Sequence, residues 1–255
     1  LEDGIEPNIV TFVCVLKAST LYVSHDLGKV IHANIVEKRI DGDIFIGSTL
    51  IDMYAKFGSL ENAIHVFLKL PKHNTVSWTS MIAGYIRHGL PYVALELFSK
   101  MQSVVVAPNE VTFASALTAS SLIASLAEGE LIHDMVLTCG FESDCFVGNS
   151  IIDMYVSCGC IDCADHAFKR MVKRDLVSWN LMISGHNQQG QGLSALAIFE
   201  KMQDEDENLN TFMLSYTLKA CSVNMLAIPG RVLHHRIISI GLETDLIVAN
   251  TLIDM

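Results

Sequence analysis

Ile51-Asp52-Met53-Tyr54, Val76-Ser77-Trp78 and Lys100-Met101-Gln102 follow one another along the chain, and each returns 101 residues later as Ile152-Asp153-Met154-Tyr155, Val177-Ser178-Trp179 and Lys201-Met202-Gln203. Residues 9–109 laid on residues 110–210 without a gap match at 37 of 101 positions. A third copy opens at Thr211, with Gly28, Gly129 and Gly230 in register and His32, His133 and His234 likewise. A fixed period of this kind marks a repeat architecture, in which each unit buries its apolar faces only against its neighbours.

Each long unit divides into three. Asp43, Asp144 and Asp245 close segments of 35 residues, Asn74 and Asp175 close segments of 31, and Asn109 and Asn210 close segments of 35 again. Within each segment two helical patterns meet at a small turn. In the second, Ala63, Val66, Phe67 and Leu70 fall at i, i+3, i+4 and i+7, one face of a helix. Ala94, Leu97, Phe98, Met101 repeat it, as do Ala164, Ala167, Phe168, Met171 and Ala195, Ile198, Phe199, Met202. Gly58, Gly89, Gly159 and Gly190 precede these helices, where a left-handed turn ends the helix before. The first helices carry stripes such as Leu50-Ile51-Met53-Tyr54 and Met81-Ile82-Tyr85. Strand-like alternation is scarce. The expected fold is all-α, a right-handed superhelical solenoid of stacked helix-turn-helix repeats of 31–35 residues. First helices should line one concave wall, so that a given motif position recurs as a row.

The composition agrees with a packed chain. Of 255 residues 51% are apolar and 18% charged, too apolar for a disordered segment. No apolar run approaches the ~18 residues of a membrane helix, so no membrane partner is expected. The seven cysteines are odd in number and sparse, which reads as reduced thiols in an intracellular compartment. The chain begins at Leu1 with no targeting segment, so any transit peptide has been removed or lies outside it. A net charge of −11 argues against a partner held mainly through phosphates.

Val-Ser-Trp-Asn (177–180), Leu-Lys-Ala-Cys (218–221), Ile-Asp-Met-Tyr (152–155) and Ala-Ile-Phe-Glu-Lys-Met (197–202), together with the 35–31–35 alternation, resemble the plant pentatricopeptide repeat proteins of the PLS subclass. The resemblance covers essentially the whole chain. It implies L motifs at 9–43, 110–144 and 211–245, S motifs at 44–74 and 145–175, and P motifs at 75–109 and 176–210. Residues 1–8 would end a preceding P-type motif and 246–255 would start a truncated S motif, all in one solenoid domain and as part of a longer array.

In that family each repeat contacts one base of single-stranded RNA. The resemblance implies that the fifth and last residues of a motif choose the base: Ser48 with Asn74, Thr79 with Asn109, Asn149 with Asp175, and Asn180 with Asn210. Asn250 opens a further pair. The L motifs offer Val13 with Asp43, Ala114 with Asp144, and Ser215 with Asp245; Val13 and Ala114 supply no hydrogen bond and should read little. The family rule then gives A for Ser or Thr with Asn, U for Asn with Asp, and C or U for Asn with Asn, with G one reading of the Ser215 repeat. Motif position two would pack on the bases through Phe45, Val76, Phe146, Val177 and Ile247. Leu209 stands where the family has a proline, beside the acidic run Asp204-Glu205-Asp206-Glu207.

Several of these residues have a plainer reading. The Asn and Ser residues could be helix caps, the position-two residues could pack one repeat on the next, and Trp78 and Trp179 read as interhelical core rather than stacking platforms. His32, His133 and His234 read as packing residues. Cys158, Cys160, Cys163 and His166 imitate a zinc site, but the matching unit carries Phe57, Ser59, Asn62 and His65, so no metal and no cofactor is expected. No phosphate loop, nucleophile elbow, zinc-protease helix or deaminase signature is present, so no enzyme is expected in this chain. The resemblance implies site recognition in an organellar RNA-processing factor of mitochondrion or chloroplast, most often for C-to-U editing, with a deaminase supplied downstream or by a partner protein. The rival reading is a helical scaffold for a protein or peptide partner.

Overall fold

The computed structural model describes residues 7–22, 24–204, 211–223 and 227–254, and among them finds fifteen helices and no strand. No described helix is long and apolar enough to cross a membrane. The chain divides into two compact units, Leu1–Ile123 and Ala124–Met255.

The first unit holds α1 (Ile9–Leu21), α2 (His25–Glu37), α3 (Ile44–Lys56), α4 (Leu60–Lys69), α5 (Thr75–Arg87), α6 (Pro91–Ser103) and α7 (Glu110–Leu122). The second holds α8 (Leu126–Cys139), α9 (Cys145–Ser157), α10 (Ile161–Arg170), α11 (Leu176–Gln188), α12 (Gly192–Asp204), α13 (Thr211–Val223), α14 (Ala227–Ser239) and α15 (Leu246–Ile253). Hairpins α1–α2, α3–α4 and α5–α6 pack in the first unit; α9–α10, α11–α12 and α13–α14 pack in the second. First helices lie side by side, α1 on α3, α3 on α5 and α5 on α7, and again α9 on α11, α11 on α13 and α13 on α15. The helix-hairpin solenoid read from the sequence is therefore the architecture of each unit.

The sequence stripes account for the cores. Ala63, Val66, Phe67 and Leu70 are all buried, as are Ala164, Phe168 and Met171 and Ala195, Phe199 and Met202. The first helices carry the largest apolar burial, with Leu50, Ile51 and Met53 wholly buried in α3, alongside small polar residues such as Ser48 and Ser77. Helices approach closely where a side chain is missing: a Cβ on Gly84 would come within 3.1 Å of the Ala55 Cβ, and one on Gly185 within 2.7 Å of Val156 Cγ2. Gly58 and Gly159 end α3 and α9 with φ of 76° and 77°, the left-handed turn their position predicts.

Trp78 and Trp179 are core residues. Trp78 is 3% exposed and Trp179 not at all, and each meets a second-helix phenylalanine edge to face, Phe67 at 5.0 Å and Phe168 at 4.8 Å between centroids. His32 and His133 are packing residues too: the Nδ1 atoms lie 2.8 and 2.9 Å from the hydroxyls of Tyr54 and Tyr155. Burial lowers the pKa of both histidines.

The reading of seven reduced thiols is corrected at one place. Cys160 and Cys163 are joined in a disulfide, with Cα atoms 5.4 Å apart. Cys160 caps α10 and Cys163 is its third residue, a spacing that brings both thiols to one side of the first turn. Two of the four residues that imitate a zinc site are thereby consumed. Among the described residues no group of three or more His, Cys, Asp or Glu is placed to hold a metal ion.

Candidate nucleic-acid interface

The residue that closes a motif is the residue that starts the next first helix. Asn74, Asn109 and Asp175 are the N-caps of α5, α7 and α11, and Asn8, Asp43, Asp144 and Asp245 cap α1, α3, α9 and α15. Each Oδ1 accepts a backbone N–H that the helix leaves unpaired. In α5, α7 and α11 the cap is reciprocal. Ser77, Thr112 and Ser178 return a side-chain oxygen to the cap's own N–H at 3.0, 3.2 and 3.0 Å. The plainer reading is thus realised at every one of these positions, and the Val-Ser-Trp run acquires three tasks: an outward residue, a cap partner and a core ring.

The motif's fifth residue reaches the same cap. Ser48 Oγ donates to Asn74 Oδ1 at 2.9 Å, and Asn149 Nδ2 donates to Asp175 Oδ1 at 3.0 Å. Thr79 reaches Asn109 through one more hydroxyl, with Thr79 Oγ1 2.6 Å from Thr112 Oγ1, which in turn donates to Asn109 Oδ1 at 2.7 Å. Three of the four S- and P-motif pairs expected from the sequence are therefore physically coupled. Their exposure departs from expectation, however. Ser48, Thr79 and Asn149 are 3%, 7% and 8% exposed, walled in by the next first helix, whereas Asn74 and Asn109 are half-buried and Asp175 is exposed. The fifth residue is a buried partner of the cap rather than an open one. Asn180 is half-buried, and its pair partner Asn210 lies outside the described residues. Ser215 and Asp245 are half-buried and Asn250 is exposed. Of the residues expected to read little, Val13 is half-buried and Ala114 buried.

Asp175 is the most heavily bonded cap. Oδ1 accepts from Ser178 N, Ser178 Oγ and Asn149, and Oδ2 from Asn149 at 3.2 Å and the Cys145 thiol at 3.3 Å. Burial pushes its pKa up, but the hydrogen bonds from Ser178, Asn149 and Cys145 outweigh that and hold the carboxyl below its ordinary value.

Position two is apolar and outward. Phe45, Val76, Phe146, Val177 and Ile247 are between 41% and 66% exposed, so the reading of these side chains as repeat-to-repeat packing does not hold. Each is the second residue after its cap, and the shared capping geometry turns all of them out in the same way. Val10 and Val111 occupy that place in the L segments and are 66% and 43% exposed. Their apolar character at the +2 position from Asn8 and Asn109 was the signal available for them in the sequence. Single exposed apolar residues are ordinary, but one after each described first-helix cap is a pattern that solvent alone does not favour.

The geometry defines a class: an all-α hairpin-repeat protein in whose described repeats a helix cap and an outward apolar residue recur at fixed positions. Residues 73–121 match the PPR repeat family, and residues 48–75, 149–176 and 177–206 each match a PPR repeat. The chain belongs to the pentatricopeptide repeat family. Among its relatives in Arabidopsis thaliana is the pentatricopeptide repeat-containing protein CRR2, chloroplastic, 37% identical over 234 residues, 89% of this chain and 36% of that protein. Another is the pentatricopeptide repeat-containing protein At3g24000, mitochondrial, 34% identical over 241 residues, 94% of this chain and 38% of that protein. The chain thus spans little more than a third of the length of these relatives. The crystal structure of the pentatricopeptide repeat protein PPR10 in complex with an 18-nt psaJ RNA element shares the fold, with a TM-score of 0.61 at 15% identity over 99% of this chain and 43% of that one.

Proposed function

We propose that this chain binds single-stranded RNA, one base per S or P repeat, as the recognition array of an organellar RNA-processing factor of the PLS subclass. The observation that carries the reading is the triplet, found in three repeats, of an outward apolar residue, a cap and a buried fifth residue linked to that cap directly or through one hydroxyl. The outward residues of successive repeats supply the apolar walls between which a base can insert; such stacking contributes ~1–3 kcal/mol per base, with aliphatic walls at the lower end. Membership of a family that includes a protein crystallised with RNA supports the same reading.

Because the fifth residue is buried, it acts on the base through the cap. In Asn74 and Asn109, Oδ1 is occupied by Ser77 N and Ser48 Oγ, or by Thr112 N and Oγ1, which leaves the Nδ2 amide as the group to offer. An amide donor matches the ring-nitrogen acceptors of adenine and cytosine, and the small Ser48 and Thr79 leave room for the purine. Asp175 only accepts, which matches the imide N–H of uracil. Donor and acceptor chemistry together with side-chain size is thus compatible with A, A and U for the three pairs.

The organellar address accords with relatives named mitochondrial and chloroplastic. Site recognition for C-to-U editing is the role we assign, with the deamination itself supplied by a downstream domain or a partner protein, and with no small-molecule substrate. Gel shifts of the recombinant chain with short RNAs that carry or lack the A-A and pyrimidine positions test this. Preference for the matched RNA is expected. Equal affinity for every RNA would overturn it and favour the protein-binding scaffold.

A further inference from the structure

Cys145 is the first residue of α9, half-buried, and the donor that closes the hydrogen-bond shell of Asp175 at Oδ2. The corresponding residues of the other S and P segments are Ile44, Thr75, Leu176 and Leu246. None of the three aliphatic residues can donate, and the Thr75 hydroxyl is turned to the Ala107 carbonyl instead. The single thiol therefore coincides with the single aspartate among the caps that close S and P segments, the others being Asn74, Asn109 and Asn210.

We infer that Cys145 is a further specificity-determining residue of this repeat: its thiol is a displaceable stand-in for the imide N–H of a uracil at Asp175 Oδ2. This rests on the RNA reading above and deepens it. Oδ1 is not free to receive a base, because Ser178 N, Ser178 Oγ and Asn149 Nδ2 all donate to it within 3.0 Å. Those three bonds also fix the carboxylate, so the thiol is not needed to orient it. Oδ2 carries only a long contact from Asn149 at 3.2 Å and the thiol at 3.3 Å. An S–H is a weak donor, so an imide N–H replaces it at a net gain, whereas a base presenting only an acceptor there leaves the carboxylate facing a lone pair.

Two further observations agree. Asn149, which also touches the Cys145 sulfur at 3.9 Å, is nine-tenths buried and its Oδ1 has no hydrogen-bond partner, so the cluster is one polar group short of satisfaction. Burial pushes the Cys145 thiol pKa up, and the hydrogen bond to Asp175 and its charge push it further, which keeps the sulfur protonated and donating.

The test compares the chain with its Cys145→Ala variant, using RNAs that differ only at the nucleotide assigned to residues 145–175. Removing the stand-in leaves Oδ2 open, so the variant should bind the U-containing RNA about threefold more tightly and leave the A- and C-containing RNAs, whose ring nitrogen there is an acceptor, unchanged. In parallel, iodoacetamide labelling with peptide mapping follows Cys145 against the exposed Cys139. The matched RNA should slow Cys145 about tenfold and leave Cys139 alone, a readout that does not depend on the variant's folding. Binding that responds to Asp175→Asn yet ignores Cys145→Ala, with no protection of Cys145, overturns this inference and leaves the RNA reading intact. Absence of any RNA binding overturns both.

Discussion

Asn149 Nδ2 donates to Asp175 Oδ1 at 3.0 Å, joining the fifth residue of α9 to the cap of α11. One bond thereby ties the interior of one hairpin to the entrance of the next. It makes the cap both a structural terminus and the accessible end of a buried pair. The predictions below follow from that double role.

Asp175→Asn exchanges an acceptor for an amide whose Oδ1 still caps α11. Preference at that nucleotide should move from U to C, by about tenfold in relative affinity, the scale of one well-placed base contact. Competition gel shifts with U- and C-containing RNAs measure it.

Thr79→Asn combined with Asn109→Asp rebuilds in the α5 repeat the pair found at Asn149 and Asp175. The preferred base should change from A to U at one position only. Retained preference for A in a four-base competition would defeat the pair assignment.

Ser77→Ala removes one half of the reciprocal cap on α5 while leaving Asn74 in place. The expected loss is about 1 kcal/mol of stability, seen as a lower denaturant midpoint with an unchanged slope.

The burial of His133 lowers its folded pKa below the ordinary 6.5, against the raising influence of Asp134 and with a smaller lowering one from Arg170. The unfolded chain takes up this proton first. Stability from this group is therefore full above pH 6.5 and is lost as pH falls from there toward the folded pKa. His32 behaves alike. Replacing both with glutamine should flatten the stability profile below pH 6.5, as measured by urea titration across that range.

On the proposed reading, a chain of net charge −11 that binds through base edges should release few counterions. Each phosphate neutralised on single-stranded RNA contributes about −0.7 to the slope of log affinity against log salt. A slope shallower than about −2 is expected between roughly 50 and 200 mM salt, and a steep one would place the binding energy on the backbone instead.

The helices were legible because their determinants are local and periodic: the Ala63-Val66-Phe67-Leu70 face, the turn glycines and the Trp78 position all depend on neighbours within a turn or on an identical environment one repeat away. The burial of Ser48, Thr79 and Asn149 was not legible. It depends on how closely two first helices approach, a distance set for Ser48 by Gly84 against Ala55 and for Asn149 by Gly185 against Val156 rather than by the fifth residue itself. The outward turn of Phe45 and Phe146 was likewise ambiguous, since an aromatic side chain fits a core as readily as an exposed wall until the cap geometry is known. The Cys160–Cys163 pair was hidden by an argument from composition, which speaks to compartment and not to two thiols three residues apart.

Asn and Asp rank alike as helix caps, and each of the caps Asn74, Asn109 and Asp175 accepts through the oxygen that both side chains possess. On the proposed reading, a single exchange between them rewrites what a repeat reads while keeping the bond that caps the helix. An array built this way can be retargeted by evolution one letter at a time, with each intermediate still folded.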